Sequence, residues 1–236
     1  MKRIVKNCIC ICLSVCILGI TGCEKIGPGK KKSYTTAPDV IYDGTPVSPE
    51  IEDFAESVCV IGDSIGLGYA AYGRIPPEHC CAQKGISLFQ AGNNVFEVEG
   101  LGDYSAAGFT EYMQPEYLMV VLGMNDISCG DPNGFADTYM DFVSELHDIS
   151  PDSRIFVMSI SPVEYDMETI SNQMIDEYNY ALSEKFDGCS FAEFTDASEV
   201  LRTEDGYMDG EVSAGDGIHL NETAYDRLLE QMRLYL

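Results

Sequence analysis

Positive charge is what this chain has least of. Its 236 residues carry 14 Lys and Arg against 39 Asp and Glu, a formal net charge of -25. Past residue 49 the imbalance deepens: seven basic side chains stand against 36 acidic ones. A protein that grips a phosphate backbone needs the reverse, so nucleic acid is excluded as a partner. Long apolar runs are missing too. Ile9 to Ile20 is interrupted by Ser14 and Gly19 and falls short of the roughly 20 apolar residues that span a bilayer. No internal repeat is visible, which sets aside stacked-repeat architectures. Histidine occurs three times, at His79, His147 and His219, so a general base has few candidates.

The first residues read as an address. Lys2, Arg3 and Lys6 precede the apolar run, the pattern of a secretory signal. Ile20-Thr21-Gly22-Cys23 resembles the bacterial lipobox. That resemblance implies cleavage before Cys23 and acylation of its thiol, with residues 1–22 as the signal. Cys8, Cys10, Cys12 and Cys16 would leave with it. Residues 23–52 then form a lipidated cysteine and a flexible tether rich in Gly, Pro, Ser, Thr and Lys. Two or more acyl chains would hold the mature protein stably on the outer face of a bacterial cell membrane. Residues 53–236 are then expected to form one folded domain, long enough for one core.

The exported part keeps Cys59, Cys80, Cys81, Cys129 and Cys189, an odd number that leaves at least one thiol unpaired. Cys59 lies in an apolar run and reads as buried and free. Pairing among the other four is open; a bond from Cys80 or Cys81 to Cys129 would tie two loops together.

Apolar runs alternate with helix-period stretches. Val58 to Ile61, a run between Cys80 and Lys84, Tyr117 to Leu122, Arg154 to Ile160 and Ser190 to Phe194 read as strands. Their continuity suits a parallel sheet covered on both faces. Stripes at Phe135, Tyr139, Phe142, Val143, Leu146 and Ile149, and at Ile170, Met174, Ile175, Tyr178, Ala181, Leu182 and Phe186, read as helices. Asn221 can cap a last one. The alternation predicts a three-layer α/β fold, a mostly parallel sheet flanked by helices with right-handed crossovers. Gly85 to Gln114 is the least regular stretch. His147 falls beside inward-facing Val143 and Leu146 and is expected at the surface; His79 has no catalytic company.

Three stretches carry chemistry. Gly62-Asp63-Ser64 follows the first strand, Gly123-Met124-Asn125-Asp126 follows the strand from Tyr117, and Asp216-Gly217-Ile218-His219 comes near the end. A serine that attacks a carbonyl needs a base, an acid to orient the base, and donors for the oxyanion. Open α/β sheets bind ligands beyond the carboxyl ends of their strands, where the first two stretches fall. Gly66 and Gly68 are read as leaving room beside the serine.

With Lys84-Gly85-Ile86-Ser87 as a second motif, these residues resemble the SGNH (GDSL) hydrolase family over roughly residues 56 to 236. The resemblance implies a three-layer α/β fold, a doubly wound, mostly parallel sheet of flavodoxin-like type flanked by helices, and a serine esterase. Ser64 would be the nucleophile, His219 the base and Asp216 its orienting acid. The Ser64 and Gly85 amides and the Asn125 side chain would form the oxyanion hole. Asp63 is expected to brace the loop.

No cofactor is required, and no metal. Asp205, Asp209, Glu211 and Asp216 crowd one acidic stretch, but their spacing does not match a twelve-residue calcium loop. The expected activity is hydrolysis of carboxylic acyl esters, O-acetyl groups on carbohydrate included, on a small-molecule or glycan substrate. The alternatives are an acyltransferase that uses the same site on a sugar acceptor, and a binding lipoprotein without catalysis.

Overall fold

Successive side chains of a strand point to opposite faces, so a strand that is apolar throughout needs cover on both. The order of elements supplies it. The computed structural model describes residues 49–236. Along the chain run α1 (Pro49–Ser57), β1 (Val58–Gly62), α2 (Ser64–Ala71), β2 (Cys80–Ala82), α3 (Leu88–Ala91), β3 (Phe96–Val98), β4 (Gly102–Tyr104), α4 (Ala106–Met113), β5 (Tyr117–Val121), α5 (Pro132–Ile149), β6 (Arg154–Met158), α6 (Asn172–Phe186), β7 (Ala192–Thr195) and α7 (Glu222–Met232). The expected signal, Cys23 and nearly all of the tether lie outside the described residues.

β1, β2, β5, β6 and β7 form one sheet in the order β2-β1-β5-β6-β7, and every pairing is parallel. Its two faces fill separate cores. Cys59, Ile61, Leu118, Val120, Ile155 and Val157 meet Phe109, Phe135, Tyr139 and Ile175 on one side. Val58, Val60, Met119, Val121 and Phe156 meet Ile51, Phe54, Tyr69 and Tyr225 on the other. Thus α4, α5 and α6 cover one face and α1, α2 and α7 the other. This is the expected doubly wound, three-layer arrangement.

Helix α1 begins at Pro49, before the boundary expected at residue 53, because its apolar stripe belongs to the core. Ile51 and Phe54 are buried, and the Phe54 ring packs edge-on to Tyr117 at 5.1 Å. Burying side chains of this kind contributes about 1.5–3 kcal/mol each. Asn221 caps α7 by accepting from the Ala224 amide. The stretch from Gly85 to Gln114 is more regular than its sequence suggests: it holds α3, the antiparallel pair β3–β4 and α4. No helix among the described residues is long and apolar enough to cross a membrane.

The five described cysteines are free thiols. Cys80 and Cys81 point into the core from β2 while Cys129 is exposed, so no bond joins them. Burial pushes the Cys59 thiol up to about 12.

Candidate active site

Parallel strands end on one edge, and the motif residues gather there. Gly62 closes β1 and Ser64 opens α2, so the serine stands in the turn between them. Asp63 caps α2: its Oδ1 accepts from the Ile65 amide at 2.8 Å. Its Oδ2 accepts from Asn125 Nδ2 at 3.3 Å, and the same nitrogen donates to the Ile86 carbonyl at 2.9 Å. Asp126 Oδ2 accepts from the Leu88 amide at 3.0 Å. The loops after β1, β2 and β5 are thereby tied to each other, and Gly85 lies beside Ile86 in the middle one. Asn125 holds both amide hydrogens in this lacing, so donation to an oxyanion requires it to share one.

The last motif folds on itself. Asp216 Oδ1 accepts from the amides of Ile218 and His219 at 3.0 and 2.8 Å, and the Ala214 amide donates to the His219 carbonyl at 2.8 Å. Asp216 Oδ2 then meets His219 Nδ1 at 2.6 Å. Across the fold, His219 Nε2 lies 3.0 Å from Ser64 Oγ, although 155 positions separate the two. With Nδ1–H donating to the carboxylate, Nε2 is left bare to accept the serine proton. The amides of His219 and Ile218 and the His219 ring hold the Asp216 carboxyl down at about 2. It is therefore an anion at any working pH. Burial instead pushes Asp63 up to about 6, opposed by its amide donors and by His219 and reinforced by Asp126, which burial also raises. The site is open: 44% of the His219 side chain and 54% of Asp216 remain exposed.

Residues 60–227 match the GDSL-like lipase/acylhydrolase family. The chain belongs to that family.

Solved structures resemble this acylhydrolase in fold. A Streptococcus pneumonia protein named after platelet activating factor is 19% identical, over 79% of this chain and 91% of its own, with a TM-score of 0.58. A family 3 carbohydrate esterase from Talaromyces cellulolyticus is 17% identical over 75% and 94%, with a TM-score of 0.52. The Clostridium thermocellum family 3 carbohydrate esterase is 16% identical over 74% and 91%, also at 0.52. Among curated proteins none matches.

The other sequence-derived candidates fall elsewhere in this GDSL-like chain. His79 precedes β2 at the opposite edge, its Nδ1 3.2 Å from the Val58 carbonyl. His147 is not simply at the surface: it is half-buried, stacked on Phe191 at 4.6 Å. It helps line a cavity of ≈ 290 Å³ with Arg154, Phe191 and Glu193, which none of the motif residues reach. Asp209 and Glu211 turn to Arg227 rather than toward a common centre. The room that Gly68 leaves beside the serine is taken by the buried Tyr225 side chain. The role of Asp126 in fixing α3 was not anticipated; the sequence signal is a carboxylate directly after Asn125 in an otherwise apolar stretch.

Proposed function

We propose that this GDSL-like acylhydrolase is a serine esterase that removes short acyl groups, acetyl foremost, from carbohydrate. The observation that carries the reading is the unbroken line Ser64 Oγ, His219, Asp216, with contacts of 3.0 and 2.6 Å. In this mechanism His219 Nε2 takes the Ser64 proton as Oγ attacks the ester carbonyl. Asp216 stabilises the imidazolium without itself accepting a proton. The amides of Ser64 and Gly85 and the Asn125 side chain receive the oxyanion. His219 returns the proton to the leaving alcohol, and water, activated by the same imidazole, releases the acyl group from Ser64. The exposure of His219 and Asp216 gives water free access, which favours hydrolysis over transfer to a sugar acceptor. The carbohydrate half of the reading is supported by fold-sharing neighbours that are carbohydrate esterases.

The proposal extends to location: acylation of Cys23 holds the enzyme on the outer face of a bacterial membrane.

An ester panel from ethyl acetate to acetylated glycans, run on the wild type and Ser64→Ala, tests the chemistry. We expect Ser64→Ala to lose at least about 10³-fold in kcat. Activity that survives the substitution removes the mechanism.

A further inference from the structure

The return of the proton fixes which half of the substrate lies where. The leaving oxygen must come within hydrogen-bond reach of His219 Nε2, so the alcohol half of the ester lies on the side of the 216–219 loop. What that loop carries on its flank therefore bears on which alcohol the enzyme takes.

The loop is flanked by an aromatic ring. A side chain at Gly217, between Asp216 and His219, would meet the Tyr165 ring and hydroxyl at 2.9 Å and the Met167 methyl at 2.9 Å. Its φ of +89° is itself a glycine conformation. Tyr165 thus rests directly on the catalytic loop, yet it is 54% exposed. Nor is it on a loose segment. The Glu164 amide donates to the Gly217 carbonyl at 3.0 Å. The buried Asn172 side chain grips both the amide and the carbonyl of Val163, at 3.0 and 2.9 Å. Asp166 accepts from the Asn172 amide at 3.0 Å and from the Tyr207 hydroxyl at 3.2 Å. The backbone on either side of Tyr165 is held, while about half of the residue stays open to solvent.

The face of an exposed aromatic ring carries negative quadrupole charge and is apolar. Its complement is a ring whose face presents polarised C–H groups, which is the face of a pyranose. We propose that Tyr165 is the platform on which the sugar of an acylated glycan stacks while its ester oxygen reaches His219. Tyr165 is a specificity-determining residue of the leaving-group side, outside the proton chain. This inference rests on the esterase reading and adds the alcohol class to it.

The test compares two acetates that differ only in the alcohol. Wild type, Tyr165→Ala and Tyr165→Phe, in the full-length protein, are assayed on methyl tetra-O-acetyl-glucopyranoside and on ethyl acetate, with Ser64→Ala as the blank. We expect Tyr165→Ala to lose about five- to tenfold in kcat/KM on the sugar ester, mainly through KM, a loss set by the usual worth of an aromatic contact. On ethyl acetate it should stay within about twofold, since that alcohol has no ring to stack. Tyr165→Phe keeps the ring and should keep both activities. Equal losses on the two esters would make Tyr165 a structural support of the loop and overturn the proposal, as would an unchanged rate on the sugar ester. A wild type that cleaves ethyl acetate but not the sugar ester overturns the platform and leaves the esterase reading standing. A wild type that cleaves neither overturns both.

Discussion

Asp63 and Asp216 are the same side chain put to opposite electrostatic use. Asp216 is exposed and fed by two amides, so its charge is stabilised where His219 needs an anion. Asp63 is 1% exposed, and its charge is costly. Its folded pKa of about 6 lies above the ordinary 3.8, so it binds a proton more tightly folded than unfolded. Its contribution to stability is then full below about pH 4 and is lost as pH rises through about 6. Other carboxylates titrate as well, so the informative quantity is the difference between wild type and Asp63→Asn. We expect urea melts to show that difference moving in the variant's favour by up to about 3 kcal/mol between pH 4 and pH 7.5, from two pKa units. A difference that stays flat across that window means Asp63 ionises without penalty. At this scale the sequence was most readable where chemistry restricts the residue type: only a serine, a histidine, an acid and an amide can fill those parts. Asp126 and Tyr165 escaped because a buried carboxylate and an exposed tyrosine look like any other in a linear sequence.

Helices α2 and α7 set the distance between the serine and its base. Ser64 opens one, and His219 stands just before the cap of the other. They interlock at Gly68, where a Cβ would collide with the Tyr225 hydroxyl. Tyr225 donates to the Ile65 carbonyl at 2.9 Å and packs edge-on to Tyr69 at 4.8 Å, so it has nowhere to retreat. Gly68→Ala should therefore destabilise the fold by about 1–3 kcal/mol, the usual cost of overpacking, although alanine is the better helix former. The melting temperature should drop by a few degrees, and kcat should fall with it as α7 shifts His219. An unchanged melting curve would mean the interface has slack. Long elements announced themselves through period, as in α5 and α6. The pair β3–β4 did not: strands of three residues are too short to show alternation, and Gly100 and Gly102 break what pattern there is. Likewise α3 has four residues, barely one turn.

Seen whole, the described part is a polyanion with six of its seven Lys and Arg side chains already engaged. Arg74, Arg154, Lys185, Arg202, Arg227 and Arg233 each meet a carboxylate within 3.5 Å, which leaves most acids facing water. Such a surface avoids anionic bilayers. On the proposed membrane location, retention would rest on the acyl chains on Cys23, with Lys30, Lys31 and Lys32 adding at most about 1 kcal/mol each. Fractionation of cells should find wild type in the membrane pellet even after a high-salt wash and Cys23→Ser in the soluble fraction. Wild type that washes off in salt would refute the anchor. The closed loop around Asp216 has a further consequence at this scale. Acid and imidazole are fastened to each other by their own short stretch of backbone, whereas the serine comes from the far end of the sequence, at the start of α2. If α2 and α7 part on heating, the pair departs intact. Turnover should then stop while the strongly deshielded imidazole proton still resonates at low field, a dead enzyme whose spectrum looks alive.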